Sequence, residues 1–437
     1  MLTPIVERWQ RQEQRGVGKA PGSGRTLEGR RCLRLPTRSV AIGAGHGPTF
    51  GTALPSGSTS GATLTEVARR LFWLVAATVA CGSRTELRVP YRYALAVSAS
   101  YTHTCALLSD HTVACWGYNA YGELGNGTTT DSPTPVAVSG LKDVTAITAQ
   151  NFYTCALLKA GTVACWGDNR FGELGDGTTD DSATPVAVSG VVNAIDVGGG
   201  FDGFQMCAVL AGGSVDCWGF SNGAFGWQAV TGAVALSRGE GSVECARLGT
   251  GHIDCWGNNY CGEIGDGKTN EQADSSTLPS LVETVADAKA VAVGDFFTCA
   301  LVGDGTVECW GQTFGQPITA CTCFGGQAPC STEPFSILTG ATTVAAGAYH
   351  ACARLEDGSV ECWGDNTNGG LGDGTTTYSP TPVRVGNITD AVDVTVGGYH
   401  TCALLSGGVV ECWGANKFGQ LGDGTTNDSR VPVPVSF

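Results

Sequence analysis

The stretch Cys352-Ala353-Arg354-Leu355-Glu356-Asp357-Gly358-Ser359-Val360-Glu361-Cys362-Trp363 decides the fold of this chain. Two short runs flank Glu356-Asp357-Gly358, and a three-residue hairpin loop needs a left-handed residue at its last position, which glycine supplies without steric cost. Pairing across the loop sets Cys352 opposite Cys362, with Cβ atoms about 4.5–5.5 Å apart on one face of the sheet. After a modest adjustment the two sulfurs reach bonding distance. The stretch therefore predicts a β-hairpin closed by a disulfide.

The same motif occurs seven times. The two cysteines are 10 positions apart in each copy, and successive first cysteines are 50, 52, 38, 54, 53 and 50 positions apart. A period near fifty indicates a radial array or a solenoid instead of unrelated domains. Each bridge is predicted to be structural and to stabilise the fold by at most roughly 2.7 kcal/mol. The predicted disulfides join Cys105 with Cys115, Cys155 with Cys165, Cys207 with Cys217, Cys245 with Cys255, Cys299 with Cys309, Cys352 with Cys362, and Cys402 with Cys412.

The residues around the cysteines predict how the hairpins pack. Runs such as Cys402-Ala403-Leu404-Leu405 are apolar on both faces, which is typical of a sheet packed between two others. Tryptophan follows every second cysteine and is expected to fill the wedge between neighbouring sheets. A glycine-rich loop such as Asp168–Thr179 comes next, and Thr184–Val188 then reads as an edge strand, where proline is tolerated.

Charge and cysteine content restrict the function. The chain has 437 residues, 20 of them cysteine, and a formal net charge of −15. Up to Cys81 there are 11 basic and 4 acidic residues, which leaves 14 basic and 36 acidic residues after it. Such an acidic body repels phosphate backbones and argues against a nucleic-acid partner. The regular cysteine pairs indicate disulfides and an oxidising compartment.

The amino-terminal region predicts where the protein is located and does not predict a folded domain. Residues 1–66 lack the repeat and any apolar period, and are expected to be disordered or not translated. Residues 67–81 pair two arginines with the apolar run Leu71–Ala80, which is too short to span a membrane. This segment resembles a bacterial lipoprotein signal, which implies cleavage before Cys81 and lipidation of that cysteine, although Thr78 stands where leucine is usual. The alternative is an apolar segment of a longer chain without lipid.

The repeat pattern also resembles a known family. His-Thr-Cys-Ala-Leu-Leu, Gly-Thr-Val-x-Cys-Trp-Gly and Asn-x-x-Gly-x-Leu-Gly-Asp-Gly are similar to the regulator of chromosome condensation repeat over roughly residues 85–437. The resemblance implies an all-β, seven-bladed β-propeller. It also implies that the terminal strands close the ring by completing one blade between them, here Ala94–Val97 and Val431–Val435.

Two groups of carboxylates offer candidate chemistry. One is the position before the second cysteine, where five of seven residues are acidic and could form a cation-binding ring: Asp216, Asp254, Glu308, Glu361 and Glu411. The favoured interpretation is a partly solvated strand position. The other group lies in the Asp-Gly loops and could ligate calcium, although turn chemistry explains it as well: Asp176, Asp181, Asp266, Asp373, Asp423 and Asp428. We predict no catalytic residues, no metal site and no cofactor, with calcium as the alternative.

Three histidines precede the first cysteine of their repeats by two positions, namely His103, His350 and His400. Tyrosine, phenylalanine and glutamine occupy this place in other repeats, for example Tyr153 and Gln205. This exchange indicates a packing or capping position and argues against a catalytic histidine.

Repeats 3 to 5 depart from the pattern, and irregular loops on a regular scaffold commonly carry binding sites. We therefore predict partner contacts there through Phe225, Trp227, Phe314 and Phe324. Repeats 4 and 5 also contain Cys261, Cys321, Cys323 and Cys330. These four are predicted to form disulfides, one of which joins the two blades; a four-thiolate zinc site is the rival.

The sequence thus predicts an exported propeller, lipid-anchored at the cell envelope or secreted, that is monomeric and binds a protein or a glycan without catalysis. Its only membrane contact would be the lipid. One alternative is a guanine-nucleotide exchange factor for a small GTPase, as the founding member of the family is. A second is an inhibitor of a hydrolase, because a β-lactamase inhibitor has the same repeat fold. A third is an enzyme that uses the carboxylate ring.

Overall fold

A computed structural model describes residues 92–437 apart from 201–203, 220–229, 240, 242, 270–275, 313, 315–320 and 324–327. The predictions for residues 1–66 and for the signal at 67–81, including lipidation of Cys81, lie outside the described residues. The described residues form strands, turns and loops, and no helix among them is long and apolar enough to cross a membrane.

Seven sheets, called blades here, follow one another along the chain. Blade 1 contains β1 (Ala94–Ala99), β2 (His103–Leu108), β3 (Val113–Gly117) and β4 (Ser132–Ala137). Blade 2 contains β5 (Val144–Gln150), β6 (Tyr153–Leu158), β7 (Val163–Gly167) and β8 (Ser182–Ala187). Blade 3 contains, in its described part, β9 (Ala194–Gly200), β10 (Gln205–Leu210) and β11 (Val215–Gly219).

The fourth and fifth blades are interleaved in sequence. Blade 4 contains β12 (Ala233–Leu236), β14 (Val243–Leu248), β15 (Ile253–Gly257) and β16 (Ser276–Leu281). The short β13 (Arg238–Gly239) pairs in parallel with the first long strand of blade 5. Blade 5 is completed by β17 (Ala288–Val293), β18 (Phe297–Val302), β19 (Val307–Gln312), β20 (Cys321–Cys323) and β21 (Ala328–Leu338).

The last two blades return to the regular pattern. Blade 6 contains β22 (Ala341–Ala346), β23 (His350–Leu355), β24 (Val360–Gly364) and β25 (Ser379–Arg384). Blade 7 contains β26 (Ala391–Val396), β27 (His400–Leu405), β28 (Val410–Gly414) and β29 (Ser429–Pro434). The first strand of a regular blade lies innermost, and the proline-containing fourth strand is its exposed outer edge.

The hairpin register predicted from the sequence is confirmed. Cys352 faces Cys362 across β23 and β24, and the tight turn has Gly358 at φ 79°. The two sulfurs are bonded, with a Cα–Cα distance of 4.0 Å. In blade 1 the turn uses His111 at φ 59° in place of glycine.

The other six predicted disulfides are present as well, and their Cα–Cα distances are 4.0 to 4.1 Å. In each case the two cysteines are paired directly across the hairpin, so the spacing of 10 residues identifies the bonding partner correctly. The bonded pairs are Cys105 with Cys115, Cys155 with Cys165, Cys207 with Cys217, Cys245 with Cys255, Cys299 with Cys309, and Cys402 with Cys412.

The core lies between the blades. Every neighbouring pair shares a cluster of buried side chains, and the strands that carry the cysteines are buried on both faces. The seventh such cluster joins blade 7 to blade 1, with Leu404 and Trp116 among its members. The sheets therefore form a closed ring of seven, as predicted.

The shared terminal blade that the family resemblance implied is wrong. Strand β1 pairs with β2 in blade 1, whereas β29 pairs with β28 in blade 7. Each terminal repeat supplies all four of its own strands, so neither sheet takes a strand from the other terminal repeat. The ring closes through packing between two complete sheets.

Candidate functional site on the loop face

Two kinds of loop lie on one face of the propeller, which we call the loop face. They join the first strand of a blade to the second and the third to the fourth. Backbone hydrogen bonds link them within a blade: Tyr118 N–H donates to Thr102 O at 3.0 Å, and Asp365 N–H donates to Tyr349 O at 2.9 Å. The hairpin turns and the connections between blades lie on the opposite face, which we call the turn face.

A buried asparagine organises the long loop in blades 1, 2, 4, 6 and 7. In blade 2 the Asn169 side chain donates to Thr178 O at 3.2 Å and accepts from Leu174 N–H at 2.9 Å. The neighbouring Asp176 accepts from both the amide and the hydroxyl of Thr178 at 2.8 Å. Asp373 and Asp423 bind their own loops in the same way. These carboxylates therefore stabilise the turns of their own loops by hydrogen bonds, which is one of the two roles that the sequence suggested. Calcium binding, the other role, stays a prediction.

A buried acidic side chain follows in the same loops. Glu123 accepts from Tyr121 N–H at 3.0 Å, and Glu173 accepts from Phe171 N–H at 2.8 Å. Burial raises the pKa of Glu123 to about 8 and that of Glu173 to about 7. Blade 7 has Gln420 in this position, with the same contact to the amide two residues before it at 3.0 Å. A neutral side chain thus satisfies the site.

Neighbouring blades are joined by a repeated hydrogen-bonded contact. Trp166 Nε1 and the Thr154 hydroxyl donate to the carbonyl oxygen of Glu123 in the preceding blade, at 2.7 and 3.1 Å. His103 Nε2 lies 2.8 Å from that hydroxyl, and because the hydroxyl donates to the carbonyl, the imidazole donates to it. His350 and His400 make the equivalent contacts at 2.8 Å. The predicted packing role of the histidines and the predicted place of the tryptophans between blades are confirmed.

Burial explains the ionisation of these histidines. It lowers the pKa of His103 and His400 to about 3 and that of His350 to about 4. The rings are therefore neutral at physiological pH. They hold neighbouring blades together.

Aromatic side chains gather on the loop face where blades 7, 1 and 2 meet. Phe418, Tyr118, Tyr121 and Phe152 are half-buried, and we call them the rim cluster. Ring centroids are 4.9 Å apart for Tyr118 and Phe418 and 5.6 Å apart for Tyr121 and Phe152, with the planes inclined by 66° and 67°. The Arg170 guanidinium lies 4.9 Å from the Tyr121 ring centre. The rim cluster is a rigid aromatic patch that solvent reaches.

A second group lies where the innermost strands end. It consists of Tyr101, Asp295, Tyr349 and Tyr399, which come from blades 1, 5, 6 and 7, and we call it the central cluster. The Tyr101 hydroxyl donates to Asp295 Oδ2 at 2.6 Å. The Tyr399 ring lies 6.0 Å from Tyr101 and 5.3 Å from Tyr349. Four distant parts of the chain thus meet in one polar aromatic group.

Behind the central cluster the innermost strands line a cavity of ≈ 380 Å³. Its polar lining comes from hydroxyl side chains such as Ser98 and Thr395, and its charged side chains are Lys289 and Asp393. The five carboxylates of the suggested ring do not line it, because they lie on the third strand of each blade, two strands outward. Asp216, Asp254, Glu308, Glu361 and Glu411 are instead half-buried strand residues, the favoured sequence interpretation.

The partner site predicted in repeats 3 to 5 differs from this arrangement. The structure places Phe314 in the core, 3% exposed, with its ring 4.6 Å from that of Phe297. Its apolar ring is needed between blades 5 and 6, so it cannot contact a partner as predicted. Phe225, Trp227 and Phe324 lie outside the described residues.

The additional cysteines follow one of the two predicted alternatives. Cys261 and Cys330 are fully buried, pack together and are each disulfide-bonded. A zinc site that uses both as thiolates is therefore wrong. Strand pairing sets Cys321 opposite Cys330 and Cys323 opposite Ala328. That one bridge joins blades 4 and 5 stays a prediction. Within the described ranges no group of three or more histidine, cysteine, aspartate or glutamate side chains could hold a metal ion.

The aromatic face was missed at the sequence level although a signal was present. An aromatic residue stands directly before the packing position in five of seven repeats, namely Phe152, Phe204, Phe296, Tyr349 and Tyr399. Position in the repeat predicts that these rings share one face.

Comparison with sequence families supports the fold assignment. A family model for the regulator of chromosome condensation (RCC1) repeat matches residues 110–157, 160–202, 357–404 and 408–437. A second model for the same repeat matches residues 95–123, 144–173, 288–316, 341–369 and 391–420. Together they cover more than half of the chain.

Two relatives from Arabidopsis thaliana show the extent of the likeness. The chain is 28% identical over 300 residues to the Ultraviolet-B receptor UVR8, which is 69% of this chain and 48% of the relative. It is 28% identical over 130 residues to the mitochondrial RCC1 domain-containing protein RUG3, which is 29% of this chain and 28% of the relative. The chain thus spans about half or less of the length of these curated relatives.

Solved structures share the architecture. Yeast RCC1 (Prp20) bound to Kap60 has a TM-score of 0.62 at 20% identity, with 79% of this chain and 85% of that chain covered. Prp20p from Saccharomyces cerevisiae, described with its binding to Gsp1p and histones, gives the same TM-score and identity over 79% and 87% of the two chains. At this identity the likeness shows the fold alone. With seven closed blades and repeat matches over more than half of its length, the chain belongs to the regulator of chromosome condensation (RCC1) repeat family.

Proposed function

We propose that the propeller is a non-catalytic module that binds a partner protein on its loop face. The observation that carries this proposal is the rim cluster, in which aromatic side chains from three adjacent blades are half-buried and locked against one another. Tyrosine and other aromatic residues dominate the energetics of protein interfaces because they bury a large area at a small cost in side-chain entropy. A rigid aromatic patch is thus preorganised for binding.

The ring geometry favours a protein over a glycan. Sugars stack on flat, exposed ring faces, whereas the rim cluster rings are inclined by 62° to 67° and show one another edges and faces. The resulting surface is corrugated and suits protruding side chains. Prp20p, which shares the fold, was described with its binding to the proteins Gsp1p and histones. By analogy of fold, we favour a protein over a glycan as the partner of this chain.

The perturbed ionisable groups support a role without catalysis. The imidazole of His103, with its lowered pKa, bonds across blades, and the carboxyls of Glu123 and Glu173, with raised pKa values, accept from backbone amides of their own loops. Groups tuned in this way commonly mark active sites, but structural networks tune them as well. Here each of these groups has a hydrogen-bond partner within the propeller framework.

The disulfides and the signal-like segment support a proposal for the compartment. Seven intrachain bridges are typical of oxidising environments. We infer an exported monomer that is held at the envelope by lipid on Cys81, or secreted. The intact mass of protein from the membrane fraction tests this: a chain that begins at a lipidated Cys81 is expected. A soluble full-length chain with free thiols would contradict it.

Site-specific photo-crosslinking in cells tests the partner surface. A benzophenone amino acid replaces Tyr121 in the rim cluster, and in a matched variant it replaces Tyr93, which is 43% exposed and lies at the turn face. We expect a discrete protein adduct from position 121 that disappears when Phe418→Ala is added. Adducts from position 93 alone, or from neither position, would contradict the proposal. Mass spectrometry of the adduct separates a GTPase from a hydrolase or another partner.

A further inference from the structure

The rim cluster carries two hydroxyl groups that no described residue engages. The phenol oxygens of Tyr118 and Tyr121 have no hydrogen-bond partner in the described part of the chain, and solvent reaches both of them. Burial raises the pKa of Tyr118 to about 12, so this phenol keeps its hydrogen at physiological pH. Such a side chain offers a bound partner an apolar ring together with a hydrogen-bond donor.

Arg170 adds further donors at the edge of the same rings. Its guanidinium lies 4.9 Å from the Tyr121 ring centre. It also donates through Nε and Nη2 to the carboxylate of Asp168, at 2.9 and 2.7 Å. The Asp168 side chain is 2% exposed, so the guanidinium is held in place by a buried carboxylate and a ring. The N–H groups on Nη1 have no partner among the described residues, and the Arg170 side chain is 52% exposed.

A ligand that matches this surface accepts hydrogen bonds and covers aromatic rings at the same time. Arg170 Nη1 only donates, and each phenol hydroxyl has one hydrogen to donate. Proline meets both requirements, because its carbonyl oxygen accepts and its pyrrolidine ring is apolar. It also has no backbone N–H that would lose water against the rings without gaining an acceptor. Other residues bring such an N–H with every carbonyl.

The geometry of the rings favours the same class of ligand. Ring centroids in the rim cluster are 4.9 to 6.4 Å apart, and the planes are inclined by 62° to 67°, so ridges alternate with grooves. Proline-rich segments in the polyproline II conformation dock in aromatic-lined grooves. This conformation has no internal hydrogen bonds, which leaves its carbonyl oxygens available. Its backbone is restricted before binding, so less entropy is lost on binding.

The charges of the surroundings favour an uncharged acceptor. Asp168 compensates the positive charge of Arg170 through their ion pair, and the carboxylate of Asp181 also acts on this guanidinium. The chain after Cys81 contains 36 acidic and 14 basic residues. An acidic segment would therefore be repelled by the body of the protein. A carbonyl oxygen accepts from Nη1 without that repulsion.

We propose that the rim cluster binds a proline-rich segment of the partner protein in the polyproline II conformation. This inference rests on the proposed function and adds the chemistry of the partner. The pyrrolidine rings pack against the inclined aromatic rings of the rim cluster. The carbonyl oxygens of the segment accept from the hydroxyls of Tyr118 and Tyr121 and from Arg170 Nη1.

A fluorescent decaproline peptide tests the proposal by anisotropy, with a glycine–serine peptide of equal length as the flexible control. We expect saturable binding of decaproline and at least about tenfold weaker binding of the control. Tyr121→Phe removes one hydroxyl and keeps the ring, and we expect it to weaken decaproline binding about three- to tenfold. Tyr93→Phe makes the same change at the turn face and should leave the affinity within about 1.5-fold. Equal affinities of the two peptides, equal effects of the two variants, or no saturable binding up to about 1 mM would overturn the proposal.

A measurement on the wild-type protein avoids dependence on the folding of variants. Acetylation of tyrosine hydroxyls, read by mass spectrometry, reports which phenols the peptide covers. We expect decaproline, and not the glycine–serine peptide, to protect Tyr118 and Tyr121 while Tyr93 stays reactive. Protection of all three tyrosines, or of none, would overturn the inference. The photo-crosslink from position 121 assumes no class of ligand, so a protein adduct there without protection by decaproline would refute this inference and leave the proposed function standing.

Discussion

Trp116 Nε1 donates a hydrogen bond to the carbonyl oxygen of Gln420 at 2.9 Å, although 304 residues separate the two in sequence. The same bond joins blades that are consecutive in sequence: Trp166 donates to the carbonyl oxygen of Glu123 at 2.7 Å, and Trp413 donates to that of Gly370 at 2.8 Å. The contact between the first and last blades is thus of the same kind as the contacts between blades 1 and 2 and between blades 6 and 7. Closure of the ring needs no special strand exchange.

Because the two contacts are equivalent, we predict that two tryptophan substitutions lower the free energy of unfolding by the same amount. Trp116→Ala and Trp166→Ala each remove a fully buried indole and its hydrogen bond. We expect each to lower the free energy of unfolding by about 3–5 kcal/mol, as for other buried large-to-small changes. The midpoint of urea unfolding measures both. In an open array Trp116 would be at an end and exposed, so a cost far below that of Trp166→Ala would contradict the closed ring.

The buried glutamates predict a pH dependence of stability. The pKa of Glu123 is raised to about 8 from an ordinary value of 4.5, so its contribution is complete below pH 4.5 and is lost as pH rises to about 8. At about 1.4 kcal/mol per pKa unit the loss is at most about 5 kcal/mol. We expect Glu123→Gln to remove it and to unfold at higher urea concentration than wild type at pH 8.5.

Blade 7 supplies the reciprocal control for this prediction. Gln420 occupies the place of Glu123 with the same contact to a backbone amide. Gln420→Glu should match wild type at pH 4.5 and become less stable as pH rises towards 8. A Gln420→Glu variant whose stability relative to wild type does not change with pH would refute the role of burial.

The sequence contains enough information for the blade and its number, but not for the face that binds. Hairpin register follows from the loop of three residues that ends in Gly358, and the seven cysteine pairs follow from their spacing. Both features are local. The central cluster depends instead on which blades become neighbours in the closed ring, so Tyr101 and Asp295 cannot be linked from one repeat. Phe314 shows the converse: an irregular loop predicted exposure, but packing on Phe297 decides burial.

The buried histidines predict destabilisation by acid. The pKa of His103 is lowered from 6.5 to about 3, so its contribution is present above pH 6.5 and is lost as pH falls towards 3. At pH 5 the loss is at most about 2 kcal/mol. Blade 3 has Gln205 at this position, and we expect His103→Gln to make unfolding less sensitive to pH between 6.5 and 4.5. Between pH 4.5 and 6.5 the Glu123 carboxyl lowers the free energy of unfolding as pH rises, whereas His103 raises it. The urea midpoints of Glu123→Gln, His103→Gln and the double variant separate the two contributions. An unchanged slope in His103→Gln would mean that this imidazole is not the group that titrates.

The equal loop lengths predict that removal of any one of the seven repeat disulfides lowers the free energy of unfolding by a similar amount. Every bridge of the repeat has a sequence separation of 10, so each constrains a loop of the same length in the unfolded chain. We expect Cys105→Ala combined with Cys115→Ala to lower the free energy of unfolding by up to about 2.7 kcal/mol from loop closure, and Cys402→Ala combined with Cys412→Ala to do the same within about 1 kcal/mol. Urea unfolding without reductant measures the cost, and the same titration with reductant should remove most of the difference from wild type. If the two variants differed by several kcal/mol, local packing and not the constraint on the unfolded chain would set the contribution of each bridge.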